Sequence, residues 1–219
     1  MSSLRIRYQT IEFGDNDIHV QTLRDRQQFS DVGSADAEKL GVSPASWSLF
    51  GVIWDSSQIL AQLMFEYDIT GKRILEVGCG IALSSLMLNQ RNADITASDY
   101  NPEAGEFLET NVKLNDGDVI PFVRADWADD NAELGKFDLI IGSDILYEPD
   151  HAELLSGFID RHASLDCDVI LVDPGRGNHP RFSKKMVALG YSHSQTKPTI
   201  VSEQSKIFRG QILRYHRNT

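Results

Sequence analysis

From Gly71 onward, apolar runs of strand length alternate with segments of helical spacing, and Gly78-Cys79-Gly80 makes the first crossing from one to the other. Residues 73–77 (RILEV), 94–98 (DITAS), 119–124, 137–143 (FDLIIGS) and 168–173 (DVILVD) read as strands. Residues 81–91, 102–115, 149–163 and 179–189 read as helices, two begun by Pro102 and Pro149 and the last ended by Gly190. Strands separated by helices pair in parallel, through right-handed crossovers that cover both faces of the sheet. The tail breaks this rhythm: 191–197 and 206–215 (KIFRGQILRY) read as strands with no helix between them. The expected fold is therefore α/β, a doubly wound, mostly parallel seven-strand sheet of Rossmann-like form that closes on an antiparallel C-terminal strand.

Upstream, residues 4–13 and 18–24 alternate apolar and polar side chains around Gly14-Asp15-Asn16-Asp17, the pattern of a β-hairpin with one wet face. Residues 25–46 are polar and rich in Gly, Ser and Asp, and read as a covering segment with a short helix at 34–40. Trp47 is expected to pack that segment onto the core. In residues 54–67, Ile59, Leu60, Leu63 and Met64 recur at helical spacing, with Asp55 or Ser56 as the cap. The 219 residues read as a single domain, with the hairpin and covering segment in 1–50 and the cofactor-binding core in 51–219.

Hydrophobic residues at 41% and charged residues at 24% suit a globular chain and disfavour disorder or a coiled coil. No apolar run reaches bilayer-spanning length, so no membrane is expected. The N-terminal MSSLRIRYQT lacks an apolar signal region, which makes the cytoplasm the expected compartment. Cys79 and Cys167 have no Cys or His at a zinc-like spacing, so neither a disulfide framework nor a metal is expected. Asp and Glu total 32 against 21 Lys and Arg, a net charge of −11 with no gathered basic face. Such a chain repels a polyanion, which argues against nucleic acid as a partner; the charge suits a basic or cationic partner, and its plainer reading is a solvated acidic surface kept for solubility.

At the strand-to-helix turn, Gly78 and Gly80 remove the Cβ atoms that would keep a ligand from the backbone, and the following helix offers unpaired N–H groups. Leu83 stands where a dinucleotide fingerprint has its third glycine, which disfavours an NAD-dependent dehydrogenase. Asp99 ends the next strand 99 − 78 = 21 residues after the first glycine, where an acid accepts ribose hydroxyls. Each feature has a plainer reading alone, as a tight turn and as a cap for the helix at Pro102. In register, they point to a bound adenosine cofactor.

Glu76-Val77-Gly78-Cys79-Gly80, Ser98-Asp99-Tyr100-Asn101-Pro102 and Ser143-Asp144-Ile145-Leu146-Tyr147 resemble successive motifs of the class I S-adenosylmethionine-dependent methyltransferases. Trp54-Asp55, Asp126-Trp127 and Asp144-x-x-Tyr147 resemble the protein-lysine methyltransferase branch, and Asp173-Pro174-Gly175-Arg176 is similar to a segment of its electron-transfer-flavoprotein members. The resemblance covers about residues 47–190. It implies S-adenosyl-L-methionine as cofactor and S-adenosyl-L-homocysteine as product. Gly78 and Gly80 would line the methionine moiety with Glu76 supporting their loop, and Asp99 would bind the ribose. Asp126 and Trp127 would flank the adenine, Trp54 would close over the cofactor, and Ser143 would complete its contacts.

The catalytic candidates are Asp144 and Tyr147, which follow an apolar strand whose carboxyl end faces the same crevice. A lysine amine attacks only when neutral, so Asp144 is expected to orient it by hydrogen bond rather than act as a strong base, with proton loss to water and with Tyr147 as an aromatic wall or a second acceptor. Their plainer readings are a cap for the helix entered at Pro149 and a half-buried packing residue. Asp173 to Arg176 would shape the substrate mouth or form a simple β-turn. His151, His162, His179 and His193 read as surface or capping residues. The expected reaction is methyl transfer to a lysine of a protein; a small-metabolite N- or O-methyltransferase and a cofactor-binding interaction module without turnover remain as alternatives.

Overall fold

A computed structural model of the chain describes residues 5–24, 48–198 and 208–218. The covering segment at 25–46, its helix at 34–40 and the packing role of Trp47 lie outside the described residues, as does the start of the last expected strand. A hairpin of β1 (Ile6–Phe13) and β2 (Asn16–Leu23) comes first, then a 3-10 turn at Ser48–Gly51 and α1 (Asp55–Glu66). The alternating core runs β3 (Arg73–Val77), α2 (Leu83–Gln90), β4 (Asp94–Asp99), α3 (Glu103–Leu114) and β5 (Phe122–Arg124). It continues through β6 (Phe137–Ser143), α4 (His151–His162), β7 (Ala163–Asp173) and α5 (His179–Ala188), and ends on β8 (Ser192–Thr196) and β9 (Gln211–Arg217).

The seven strands lie in the order β5-β4-β3-β6-β7-β9-β8. β3 pairs in parallel with both β4 and β6, so the winding reverses between them, while β9 runs antiparallel to β7 and β8. The order is that of a doubly wound Rossmann-like sheet, and its reversal opens a crevice at the carboxyl ends of β3 and β6.

Period-two alternation divides the core into two layers. Ile74, Leu139, Ile141, Ile170 and Val172 pack with the apolar residues of α1, α2 and α3, whereas Leu75, Ile140, Val169 and Leu171 pack with those of α4 and α5. Each such buried side chain contributes about 1.5–3 kcal/mol relative to exposure.

The hairpin is an extension of this core. Ile11, Phe13, Ile18 and Val20 point inward and join the layer of α2 and α3. The free edge of β2 is met by two side chains of the α3 segment. Asn111 accepts the Gln21 N–H at 2.6 Å and donates to its carbonyl at 3.3 Å; Asn115 does the same for His19 at 2.8 and 2.7 Å. The two asparagines supply the bonds that a neighbouring strand would supply, and an edge that would attract other chains is covered.

Several boundaries differ from the sequence reading. β7 starts at Ala163 rather than 168, running straight on from α4; in its first residues only Ala163 and Cys167 are buried while Leu165 and Asp166 are exposed, so the continuous apolar run begins later. Neither Asp55 nor Ser56 caps α1: the cap position is Trp54, whose carbonyl accepts the Ser57 hydroxyl at 2.8 Å. The helix expected from 81 starts at Leu83, because Gly80 to Ala82 complete the turn and Ala82 adopts φ +59°.

Candidate functional site

A cavity of about 520 Å³ opens at the carboxyl ends of β3, β4 and β6, lined on one flank by the 3-10 turn and the start of α1. Its floor is the turn after β3. Gly78 and Gly80 have φ of +59° and +54°, and a Cβ on Gly80 would come within 2.9 Å of the Phe50 carbonyl oxygen. Only glycine meets both conditions without strain.

Asp99 ends β4 beside this turn. Its carboxylate accepts the Gly80 N–H and the Asn101 N–H, both at 2.8 Å. Capping of α3 falls to Asn101, whose side-chain oxygen accepts the Glu103 N–H at 3.0 Å, so Asp99 is left facing the cavity. Burial raises the Asp99 carboxyl above the ordinary range, opposed by the amides of Asn101, Gly80 and Tyr100. A carboxylate accepts about four hydrogen bonds, so capacity remains for ribose hydroxyls. With the glycine turn it fits an adenosine cofactor.

Glu76 lies beneath the turn and off the cavity wall. It accepts the Ser85 N–H at 2.9 Å and the Ser85 hydroxyl at 2.5 Å, tying the end of β3 to the first turn of α2. Burial pushes its carboxyl to about 7, against the lowering effect of the serines.

Asp126 and Trp127 lie on the wall beyond β5. Asp126 accepts the Ala128 N–H at 2.9 Å, and the Trp127 carbonyl accepts a bond from Arg161 at 2.7 Å, which fixes the segment to α4. Trp54 stands on the opposite flank, its indole N–H donated to the Leu49 carbonyl at 3.0 Å. Ser143, at the end of β6, also lines the cavity.

Asp144 follows with φ +54°, a backbone conformation that non-glycine residues rarely adopt, held by the bond from its N–H to the Val172 carbonyl at 2.9 Å. The side chain is 8% exposed and does not cap α4, whose cap position is Asp150. Instead the Arg176 guanidinium grips it with two bonds, 2.5 and 2.7 Å long. Arg176 also lies 6.0 Å from the ring centre of Trp54. Tyr147 is 40% exposed at the rim; burial, then the carboxylates of Asp99, Glu148 and Asp144, raise the pKa of its phenol above the ordinary value, with Arg176 opposing them.

Thus Trp54, Gly78, Gly80, Asp99, Asp126, Trp127, Ser143, Asp144 and Tyr147 meet at one cavity, and Glu76 stands behind it. Sequence reasoning left out Phe50, Asn101, His151 and the pairing of Arg176. His151, read as a surface or capping residue, instead lines the cavity between the rings of Trp127 and Tyr147, at centroid distances of 5.2 and 4.6 Å. Nothing in its spacing signals this, because the packing depends on the bend after β6. His162 is buried rather than on the surface, bonded at 3.0 Å to the Gly135 carbonyl.

Cys79 sits between the glycines, where burial pushes its thiol well above the ordinary range and leaves it unreactive. Among the described residues no cluster of His, Cys, Asp or Glu suits a metal ion, and no helix is long and apolar enough to cross a membrane.

The sheet order and the cavity at its reversal define the class I methyltransferase fold. The T. thermophilus 16S rRNA N2 G1207 methyltransferase, solved with AdoMet and guanosine, shares it with a TM-score of 0.68 at 14% identity, over 99% of this chain and 51% of that one. The Synechocystis PCC 6803 magnesium protoporphyrin IX methyltransferase with bound SAM has a TM-score of 0.59 at 18% identity, over 88% and 95%. A family model described as lysine methyltransferase matches residues 43–186, and the chain belongs to that family.

Among its relatives, the electron transfer flavoprotein beta subunit lysine methyltransferase of Mus musculus is 29% identical over 150 residues, 67% of this chain and 57% of the relative. A protein N-lysine methyltransferase of Danio rerio is 31% identical over 147 residues, 63% of each. A histidine protein methyltransferase 1 homolog of Dictyostelium discoideum is 32% identical over 117 residues, 50% of this chain and 38% of the relative. The matches thus span between 38% and 63% of these relatives' own lengths.

Proposed function

We propose that the chain is a single methyltransferase domain that transfers the methyl group of S-adenosylmethionine to a lysine side-chain nitrogen of a partner protein. The observation that carries this reading is one cavity that runs from the Gly78 to Gly80 turn and Asp99 to Asp144 and Tyr147. Family membership and the relatives' protein substrates support the acceptor class.

S-adenosylmethionine supplies a sulfonium methyl carbon open to in-line displacement. Asp99 accepts the ribose hydroxyls, and the glycine turn admits the amino-acid tail against the backbone, with Glu76 bracing the turn through Ser85. Asp126 and Trp127 flank the adenine, Ser143 completes the cofactor contacts, and Trp54 closes the flank. Asp144 and Tyr147 hold the acceptor nitrogen in line with the methyl carbon, where most of the rate gain comes from orientation. The nitrogen forms the new bond with its lone pair, the carbon–sulfur bond breaks, and the acceptor's proton goes to water. A histidine nitrogen is the second reading, favoured by the Dictyostelium relative. Two buried, unbridged cysteines suit a reducing cytoplasm.

The test is incubation with S-adenosylmethionine labelled in its methyl group and a native cell extract, followed by amino-acid analysis of the protein fraction. Label in methyl-lysine supports the reading and label in methyl-histidine moves it to the second. Label confined to small molecules or nucleic acid overturns both.

A further inference from the structure

We infer that Arg176 is a positioning residue that keeps Asp144 neutralised, so that the acceptor end of the cavity selects an uncharged nitrogen. The inference rests on the functional reading above and assigns a role to the Asp-Pro-Gly-Arg turn that the transfer itself leaves unused.

The pair is built rather than incidental. Asp144 is 8% exposed, and the guanidinium meets both of its oxygens at 2.5 and 2.7 Å, a fork that an ammonium, as a point charge, cannot match. Arg176 rides on a short arm fixed at both ends. Asp173 accepts the Gly175 N–H at 2.8 Å, and Asn178 donates to the Leu146 carbonyl at 2.9 Å. Gly175 and Gly177, at φ +97° and +91°, set the turn that carries the side chain between Asp144 and the Trp54 ring.

A free carboxylate beside a sulfonium would draw in the lysine as its ammonium and hold the proton that must leave. A carboxylate already paired gives a second cation little, yet its remaining lone pairs still accept N–H bonds from a neutral amine. Arg176 thereby weakens cation binding at this end without removing the hydrogen-bond acceptor.

The sulfonium is itself a cation that tests this end. S-adenosylmethionine and S-adenosylhomocysteine differ by one methyl group and one positive charge, so the ratio of their association constants, measured by calorimetry, reads the local preference for charge. In Arg176→Gln that ratio rises about threefold or more, as expected when a nearby anion loses its partner. Arg176→Lys stays below that bound because the charge is kept. Asp144→Asn shifts the ratio the other way, and the double variant returns toward the parent.

Binding of S-adenosylhomocysteine to each variant shows that it is folded. A ratio in Arg176→Gln that stays below that bound, or an equal rise in Arg176→Lys, overturns the inference and leaves the functional reading intact. Failure of the parent protein to bind either ligand overturns both.

Discussion

The Asp99 carboxylate accepts the Gly80 N–H at 2.8 Å, which joins the acid at the end of β4 to the turn at the end of β3. The two strands are parallel neighbours in register, Glu76 beside Ala97 and Val77 beside Ser98, so pairing fixes the distance between acid and turn before any ligand arrives. A residue pair far apart in sequence thus behaves as one rigid cradle.

Gly80→Ala tests that cradle. The added Cβ meets the Phe50 carbonyl at 2.9 Å in a left-handed backbone, so the turn must move. A strain of about 1–3 kcal/mol is expected, and scanning calorimetry should find the melting temperature lowered by about 2–4 °C per kcal/mol. S-adenosylhomocysteine affinity should fall with it.

Asp144→Asn keeps the shape of the acceptor end and removes its charge. Methyl transfer to protein should fall by about tenfold or more, the scale of one orienting bond to a charged group, while S-adenosylhomocysteine still binds. A parallel assay of transfer and binding separates the two ends of the cavity.

Glu76 gives the protein a pH dependence. Its folded value of about 7 lies above the ordinary 4.5, so between these values the folded state holds a proton that the unfolded state has released. Stability therefore falls as pH rises across this window, by about 3 kcal/mol when the shift is converted at 1.36 kcal/mol per unit. Urea unfolding at a series of pH values should find this slope in the parent protein and a flatter line in Glu76→Gln.

Asn111→Ala strips the Gln21 backbone of both its partners. The cost should be about 1–3 kcal/mol, the penalty for leaving such groups unmade. Hydrogen exchange at Gln21 should quicken while β6 and β7 keep their protection, which would mark the hairpin as the less stable unit.

Much of this architecture was legible in the sequence because short apolar-rich strands such as Phe137–Ser143 alternate with helical segments that turn one apolar face to the sheet, as in Glu103–Leu114 and His151–His162. β3, β4 and β6 fall within one residue of their expected bounds. The first residues of β7 are less legible, because only the small Ala163 and Cys167 are buried there while Leu165 is 75% exposed, so no continuous apolar run marks the start of the strand. Asp99 and the two glycines were legible because a turn and an acid one strand apart are fixed by pairing alone.

The partners of Asp144 were not. Its φ of +54° and its bond to Val172 aim the carboxylate toward Arg176, 32 residues further on, and that meeting depends on how the loops after β6 and β7 cross. The same holds for Asn111 and Asn115, which in sequence are polar residues near a helix end and in space are the neighbour of β2.

Calorimetric titration with S-adenosylhomocysteine tests the whole account most directly. A one-to-one isotherm is predicted for the parent protein, no heat with NAD, and affinity weakened by about 10–100-fold in a folded Asp99→Ala, the loss expected from bonds to a charged group. A parent protein that gives no heat with S-adenosylhomocysteine, or an Asp99→Ala variant that binds it as tightly as the parent, would contradict it.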